Sequence, residues 1–278
     1  METRWILTRL SETCASVDSS LTDYRFDEAA NTIYQFFWGD LCDWYLEIVK
    51  LRLNFDEGAD KAATAAALTT LTGVFESALR LLSPFMPFLT EEIWHALYND
   101  APPAKSIALT RYPQAADFPA DPIAASAMKT MQDLIVTVRA LRKELGVPEK
   151  ESTLIKLHAN NRIVALADAN QDMLSRMARV ASVEFASEPL SGSNARSAPD
   201  FDVAVTYERQ IDVAAERERL TKELARLAKI LASTESQLNN PAFIAKAPAH
   251  IVDGLRKQYA QTKTLYDKTK ADLDALGL

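Results

Sequence analysis

The fold is decided by residues 220–276, LTKELARLAKILASTESQLNNPAFIAKAPAHIVDGLRKQYAQTKTLYDKTKADLDAL, in which two heptad repeats flank a connector containing Pro241 and Pro248. The first repeat is Leu220, Leu224, Leu227, Leu231, Thr234 and Leu238, and the second is Val252, Leu255, Tyr259, Thr262, Tyr266, Thr269, Leu273 and Leu276. Each repeat buries one seam of a helix against a partner helix. Because proline cannot continue a helix, the pattern predicts an antiparallel coiled-coil hairpin, an arm about 40 Å long.

The charge of the chain is unevenly distributed. Its net charge is −7, yet residues 211–278 contain 11 Lys and Arg against 9 Asp and Glu, so the arm is mildly basic and the rest is acidic. This asymmetry favours an anionic partner for the arm, although a solvated coiled-coil surface would look the same. We also expect that nothing spans a membrane, because no apolar run approaches about 18 residues, and that the chain is a monomer in the cytoplasm.

Residues 1–148 are expected to form a bundle of helices. The strongest helical stripe is Phe26, Ala30, Ile33, Phe37, Leu41, Trp44, Ile48 and Leu51, and the next, after Asp60, is Leu68, Leu71, Phe75, Leu79 and Leu82. Thr90 is expected to open a short helix, and Gly146 followed by Pro148 to end the last one.

Residues 149–210 change period and predict a small α/β junction. Alternation in residues 153–158, 181–185 and 201–207 predicts a three-stranded sheet, with one helix over 162–179 and a polar loop over 191–199. The fold class is therefore mainly α, with three domains: the helical bundle 1–148, the junction 149–210 and the coiled-coil arm 211–278.

Candidate catalytic chemistry is sparse. The three histidines, His95, His158 and His250, lie in separate segments, and the 7 glycines leave little room for a phosphate-binding loop. Cys14 and Cys42 fall near apolar stripes and are expected to be buried thiols. We therefore expect no catalytic residue, no metal site and no cofactor in this chain.

Two basic clusters beside aromatic residues are candidates for contact with RNA, because single-stranded RNA is held by stacking on aromatic planes and by cations. One cluster is Lys50 and Arg52 beside Trp44. The other is Arg139, Arg142 and Lys143, expected on the polar face of one helix. Cations near helix C-termini also stabilise the helix dipole, so this simpler interpretation stays open.

The tip of the arm is the third candidate. It contains Lys246, His250, Arg256 and Lys257, whose charges suit phosphate contacts.

Several segments resemble the C-terminal part of valyl-tRNA synthetase. The matching segments are 24–30, 37–47, the Leu82–Trp94 stretch LSPFMPFLTEEIW, 138–148, 212–220 and the 243–248 stretch FIAKAP. The resemblance covers essentially the whole chain, from Arg4 to Leu276, and the Lys246-Ala247-Pro248 segment is its most specific part. It implies a bundle that binds the anticodon stem-loop and an arm that braces the outer corner of a tRNA, with tRNA-Val as the partner.

The resemblance also implies what this chain lacks. The family's catalytic and editing domains have no counterpart here, so ATP and Mg²⁺ would belong to a catalytic domain outside this sequence. The start just ahead of Trp5 favours an excised piece over a free-standing relative. The alternative function is a structural or regulatory coiled-coil protein, whose heptads would pair with another chain.

Overall fold

The computed structural model describes residues 1–207, 213–241 and 248–275; in the last two ranges it describes the side chains of 217–241, 248, 251–271, 273 and 274. The chain forms two compact units, Met1–Tyr207 and Glu208–Leu278. The predicted boundary at residue 148 lies inside the first unit, at the turn that ends a long helix.

The first unit begins with a helical bundle. Its helices are α1 (Glu2–Thr22), α2 (Phe26–Tyr34), a π-helical segment (Gln35–Tyr45), α3 (Leu46–Val49), α4 (Lys61–Leu82), α5 (Pro87–Leu97) and α6 (Pro122–Glu144). Short 3₁₀ turns at Ile107–Leu109 and Ala115–Asp117 punctuate the proline-rich connection before α6. Amphipathic helices joined in this way bury their apolar stripes against each other.

The aromatic helix runs without interruption from Phe26 to Val49, but its middle is π-helical. Each π turn takes more residues than an α turn, so the buried side chains depart from the predicted α-helical stripe. The buried set is Ala29, Ile33, Phe36, Leu41, Tyr45, Ile48 and Val49. The expectation that Phe26 faces the core is wrong: this first-turn side chain is 55% exposed and meets Tyr24 edge to face.

Helix α4 starts where the sequence predicts, because the Asp60 carboxylate accepts hydrogen bonds from the N–H groups of Ala62 and Ala63, both at 3.0 Å. Its buried side belongs to Val74, Ala78, Leu79 and Leu81 with Thr64 and Ser77. Leu68, expected to face inward, is 42% exposed. Helical spacing predicts which face of a helix is apolar, but it does not specify over what length the other helices cover that face.

Helix α4 is also long and apolar enough to cross a membrane, judged by length and composition alone, since an 18-residue window within its 22 residues has a mean hydropathy of 1.2. This criterion averages over a window and needs no unbroken apolar run, so the expectation that nothing spans a membrane stays a prediction. Core helices meet the same criterion. This helix carries Glu76 and Arg80, paired at 2.7 Å, and Glu76 also accepts a hydrogen bond from Nε1 of the buried Trp94.

Helix α5 begins earlier than predicted. Its first residue is Pro87, whose fixed φ suits the first helical position, rather than Thr90. Thr90 is buried within the first turn, where its hydroxyl donates to the carbonyl oxygen of Met86 at 3.0 Å.

Helix α6 ends in a Schellman motif, as Gly146 and Pro148 predict. The N–H of Val147 donates to the carbonyl oxygen of Arg142 at 2.9 Å, and that of Gly146 to Lys143 at 3.2 Å. Gly146 has φ +67°, a conformation that glycine adopts without steric cost.

We expect Gly146→Ala to lower the free energy of unfolding by about 1 kcal/mol, because alanine is strained at positive φ. Gly39→Ala is the matched control, since Gly39 lies inside the π-helical segment with nothing within 4 Å of an added Cβ. There, alanine should be neutral or stabilise by up to about 1 kcal/mol. Urea denaturation of both variants checks the opposite signs; a loss of stability in both would contradict the assigned cap.

After α6 the first unit forms a four-stranded sheet rather than the predicted three-stranded one. Its strands are β1 (Thr153–Ala159), β2 (Val180–Phe185), β3 (Ala195–Ser197) and β4 (Phe201–Thr206), in the order β2-β1-β4-β3. Strands β1 and β2 are parallel, and the other neighbours are antiparallel. Strand β3 falls in the expected loop, because a three-residue edge strand is too short for alternation to reveal.

The crossover between β1 and β2 contains two helices, α7 (Asn161–Asp168) and α8 (Gln171–Ala178), where the sequence predicts one. The break lies at Asn170, whose side-chain amide donates to the carbonyl oxygen of Leu166 at 2.8 Å. Asparagine competes in this way with helical backbone hydrogen bonds. Helix α8 therefore has its own direction, and its end at Arg179 leads directly into β2.

Bundle and sheet share one hydrophobic core. Buried residues of α1, α6 and α8 belong to the same cluster as Ile155 and Leu157 of β1 and Val203 and Val205 of β4. Helix α6 contributes to both sides of this core, because it packs against α1 as well as against α8 and β4. The positions of α6 and α8 are thus fixed relative to each other.

The second unit is the predicted hairpin of α9 (Val213–Leu238) and α10 (Ala249–Ala275), which pack against each other. Leu220, Leu227 and Thr234 of α9 are buried, as are Val252 and Thr262 of α10. The other heptad residues with described side chains are partly buried, so the predicted seam is confirmed; Leu276 lies outside the described residues.

Candidate nucleic-acid interface

Trp44 and Arg139, from the two basic clusters of the sequence, are brought together in the structure. The guanidinium carbon of Arg139 lies 5.8 Å from the centroid of the Trp44 ring. Nε of Arg139 also donates to the carbonyl oxygen of Met177 at 2.6 Å. These contacts hold an exposed guanidinium over an indole ring, two groups on which a nucleobase can stack.

Lys50 and Arg52 differ in how far they are available to a ligand. Lys50 is exposed and pairs with Glu47 at 2.5 Å. Arg52 joins α1 to α8, because it donates to Glu2 at 2.7 Å and to Asp172 at 2.5 Å. Burial would lower the pKa of Arg52, but hydrogen bonds to these two carboxylates raise it above its usual value. Arg52 therefore stabilises the fold more than it offers charge to RNA.

Arg142 does not share the polar face of α6 with Arg139 and Lys143, and that prediction is wrong. Its side chain is 7% exposed. The guanidinium donates to Thr153 Oγ1 at 2.9 Å and to the carbonyl oxygens of Glu151 at 2.6 Å, Pro148 at 3.3 Å and Arg179 at 3.4 Å. Burial lowers its pKa from the usual value. Lys143 is exposed and pairs with no described residue.

Helix α8 adds two cations that sequence reasoning missed. A cleft of about 560 Å³ is lined by Glu47, Leu51, Asp172, Ser175, Arg176 and Arg179; we call it the α8 cleft. Nη2 of Arg176 lies 3.4 Å from Glu47 Oε2, and the exposed guanidinium of Arg179 bonds to no described residue. The sequence carries no signal that places Arg176 and Arg179 beside the aromatic helix; the packing of α8 against α3 does so.

Both helices of the arm carry exposed cations among their described side chains. Those of α9 are Arg217, Arg219, Lys222, Arg226 and Lys229. Between Arg256 and Lys270 there are five Lys or Arg residues and one acid, Asp267, all exposed. The five cations are Arg256, Lys257, Lys263, Lys268 and Lys270. Arg256 is 3.6 Å from Asp253. Of the predicted tip residues, Lys246 and the side chain of His250 lie outside the described residues.

A second surface of the first unit is apolar and unsuited to phosphate. A groove of about 380 Å³ is lined from α2, the π-helical segment, α4 and α5 by Ile33, Tyr34, Phe37, Trp38, Met86 and Leu89 among others, with no charged side chain in its lining. RNA binding needs cations near its stacking planes. The Trp44–Arg139 surface has them and this groove does not.

The candidate nucleophiles are protected. Burial raises the pKa of the Cys14 thiol to about 12, and it also raises the pKa of the partly buried Cys42. His95 bonds to Glu91, which also accepts hydrogen bonds from Ser106 and Ile107, so it joins α5 to the following loop. Among the described residues no group of three His, Cys, Asp or Glu could hold a metal ion.

Comparison with known families assigns both units. Residues 3–158 match the anticodon-binding domain of tRNA ligases, and residues 212–277 match the valyl-tRNA synthetase tRNA binding arm. The stretch between them, which contains α7, α8 and strands β2 to β4, belongs to neither match.

Similar proteins include valine–tRNA ligases from three bacteria. The chain is 34% identical to that of Syntrophotalea carbinolica over 99% of its length, 34% identical to that of Bacillus subtilis over 97%, and 36% identical to that of Nocardia farcinica over 91%. It spans about 30% of the length of these relatives. The chain belongs to the family of anticodon-binding domains of tRNA ligases, joined to a tRNA binding arm of the valyl-tRNA synthetase type.

Proposed function

We propose that this chain is the tRNA-binding part of a valine–tRNA ligase, in which the bundle holds the anticodon stem-loop and the arm holds the outer corner of tRNA-Val. The observation that carries the proposal is that each unit of an acidic chain presents its own exposed cationic surface. These surfaces are the cations around the Trp44–Arg139 pair and the exposed cations of α10 between Arg256 and Lys270, which lie off the heptad seam and which we call the outer face of α10. Both lie in the segments that match tRNA-binding families.

The mechanism is positioning rather than bond making. Two contacts on one tRNA make the second binding event intramolecular, which raises affinity without new chemistry. The bound tRNA then presents its acceptor end to a catalytic part outside this chain, where ATP and Mg²⁺ act. In this proposal the chain works as a monomer in the cytoplasm, with no cofactor of its own.

The alternative, a coiled-coil protein that pairs with another chain, requires a free heptad seam. The seam residues with described side chains are instead buried or half-buried between α9 and α10 of the same chain. Sedimentation of the chain over a range of concentrations separates the two: a constant monomer mass supports our proposal, and concentration-dependent dimers support the alternative.

We expect the chain to bind tRNA-Val with an affinity that falls steeply as salt rises, because bound phosphates release counterions. Four phosphate contacts would weaken binding about a hundredfold between roughly 50 and 200 mM monovalent salt. Gel shifts with tRNA-Val across this salt range measure the slope. A tRNA with a different anticodon is the control, and equal affinity for both, or a flat salt dependence, would contradict the proposal.

A further inference from the structure

We propose that α8, outside both matched families, supplies a third contact to the tRNA: Arg176 and Arg179 bind backbone phosphates in the α8 cleft. This inference rests on the proposed function and deepens it. It adds the junction to the bundle and the arm as an RNA-binding element. The ligand is identified by its chemistry as the phosphodiester backbone of a folded RNA, because guanidinium groups match phosphate geometry.

The α8 cleft adjoins the Trp44–Arg139 pair. Arg139 donates to the carbonyl oxygen of Met177, the residue next to Arg176, while Glu47 pairs with both Lys50 and Arg176. Bundle and α8 therefore meet at this cleft, which Glu47 and Leu51 line from the bundle and Arg176 and Arg179 from the end of α8. A base stacked at Trp44 and Arg139 would place its neighbouring phosphates within reach of α8, since consecutive phosphates follow the same strand.

The charges of the α8 cleft leave a positive excess for a ligand. Its two acids are already engaged, since Asp172 pairs with Arg52 at 2.5 Å and Glu47 pairs with Lys50 at 2.5 Å. Arg176 shares Glu47 at a longer distance, 3.4 Å, with its side chain 48% exposed. Arg179 has no carboxylate partner among the described residues and is exposed. Arg179 is thus the cation in the cleft most available to phosphate.

The backbone of Arg179 argues for a role of its side chain. It ends α8 with φ 54° and ψ 44°, the left-handed conformation usually taken by glycine at this position. Its carbonyl oxygen accepts hydrogen bonds from Thr153 N at 3.0 Å and from Arg142. Arginine is disfavoured in this conformation, and residues strained in this way concentrate at functional sites. The fixed backbone also orders the start of the side chain before the ligand arrives.

The test compares tRNA-Val binding by the full chain with that of the double variant Arg176→Gln and Arg179→Gln. We expect about a tenfold loss of affinity and a decrease of about 2 in the slope of log affinity against log salt, since two phosphate contacts are removed. Lysine at both positions should restore the slope, because it keeps the charge. The control of equal charge change is Arg111→Gln with Lys129→Gln, two exposed cations outside the cleft.

The single variant Arg179→Gly separates function from folding. Glycine suits the left-handed position, so the thermal midpoint should stay the same or rise while tRNA affinity falls. A purely structural Arg179 would leave affinity unchanged in this variant.

Each outcome has one meaning. If the wild-type chain binds tRNA and the glutamine variant binds it equally well with the same slope, the third contact is refuted while the proposed function stands. An equal loss in the Arg111 and Lys129 control also refutes it, because net charge alone would then explain the effect. If the wild-type chain binds no tRNA, the proposed function itself fails.

Discussion

Replacing Arg142 with methionine should lower the free energy of unfolding of the first unit by about 3 kcal/mol. The buried guanidinium joins the end of α6 to the start of β1 and to the loop between them through four hydrogen bonds. Methionine keeps most of the side-chain volume but donates nothing, so Thr153 Oγ1 and three carbonyl oxygens lose a partner away from water. The large effect comes mainly from Thr153 Oγ1 and the carbonyl oxygen of Glu151, because the carbonyl oxygens of Pro148 and Arg179 keep hydrogen bonds from Glu151 N and Thr153 N.

Tryptophan fluorescence during urea denaturation measures this loss for the first unit alone, because Trp5, Trp38, Trp44 and Trp94 all lie within it. The matched control is Lys143→Met, one residue further along α6 and exposed, where we expect a change within about 0.5 kcal/mol. Equal effects of the two substitutions would mean that Arg142 is not a structural clamp.

Ending the chain at Tyr207 should weaken binding of tRNA-Val about a hundredfold, because the arm's contacts raise affinity through linkage to those of the bundle. The cut falls between the two compact units, so it leaves the core of the first unit intact. Gel shifts at constant salt measure the loss, and tryptophan fluorescence verifies that the shortened chain stays folded.

A charge variant shows which part of the arm is responsible. Replacing three exposed lysines of α10 by glutamine should reproduce most of the loss of affinity. They are Lys263, Lys268 and Lys270. The same substitution at Lys222 and Arg226 of α9 should lower the affinity less. Lys222 pairs with Glu218 at 2.6 Å and Arg226 with Glu223 at 2.6 Å, so both charges are already engaged. If removal of the whole arm leaves affinity unchanged, the arm does not bind the tRNA corner.

Helix starts and ends could be read from the sequence where local chemistry sets them. Asp60 caps α4, and Gly146 ends α6 in the left-handed conformation, because each acts on backbone groups within a few residues. The predictions about helices were wrong where the spacing of apolar residues over a long segment did not reveal a change in the helix itself. The π-helical segment shifts the buried side of the aromatic helix, and Asn170 divides the expected helix into α7 and α8.

The candidate site was only partly predictable. Trp44, Lys50 and Arg139 lie near one another, as their residue types suggested, but their proximity arises because α3 and α6 both pack against α8. Arg176 and Arg179 were missed because nothing near them in sequence marks them as neighbours of Trp44. Of the remaining candidates, Arg256 and Lys257 are exposed on α10.

The sequence by itself determined the coiled-coil arm, because heptad spacing is a property of each helix and the partner is the next helix along the chain. It also determined the family, through motifs spread over both units. Only the tertiary structure decided which cations remain available to RNA. A guanidinium is available or occupied according to the carboxylates and carbonyl oxygens that packing brings within hydrogen-bonding distance. Arg142 and Arg52 are occupied in this way, whereas Arg179 and the outer face of α10 remain open to a phosphate backbone.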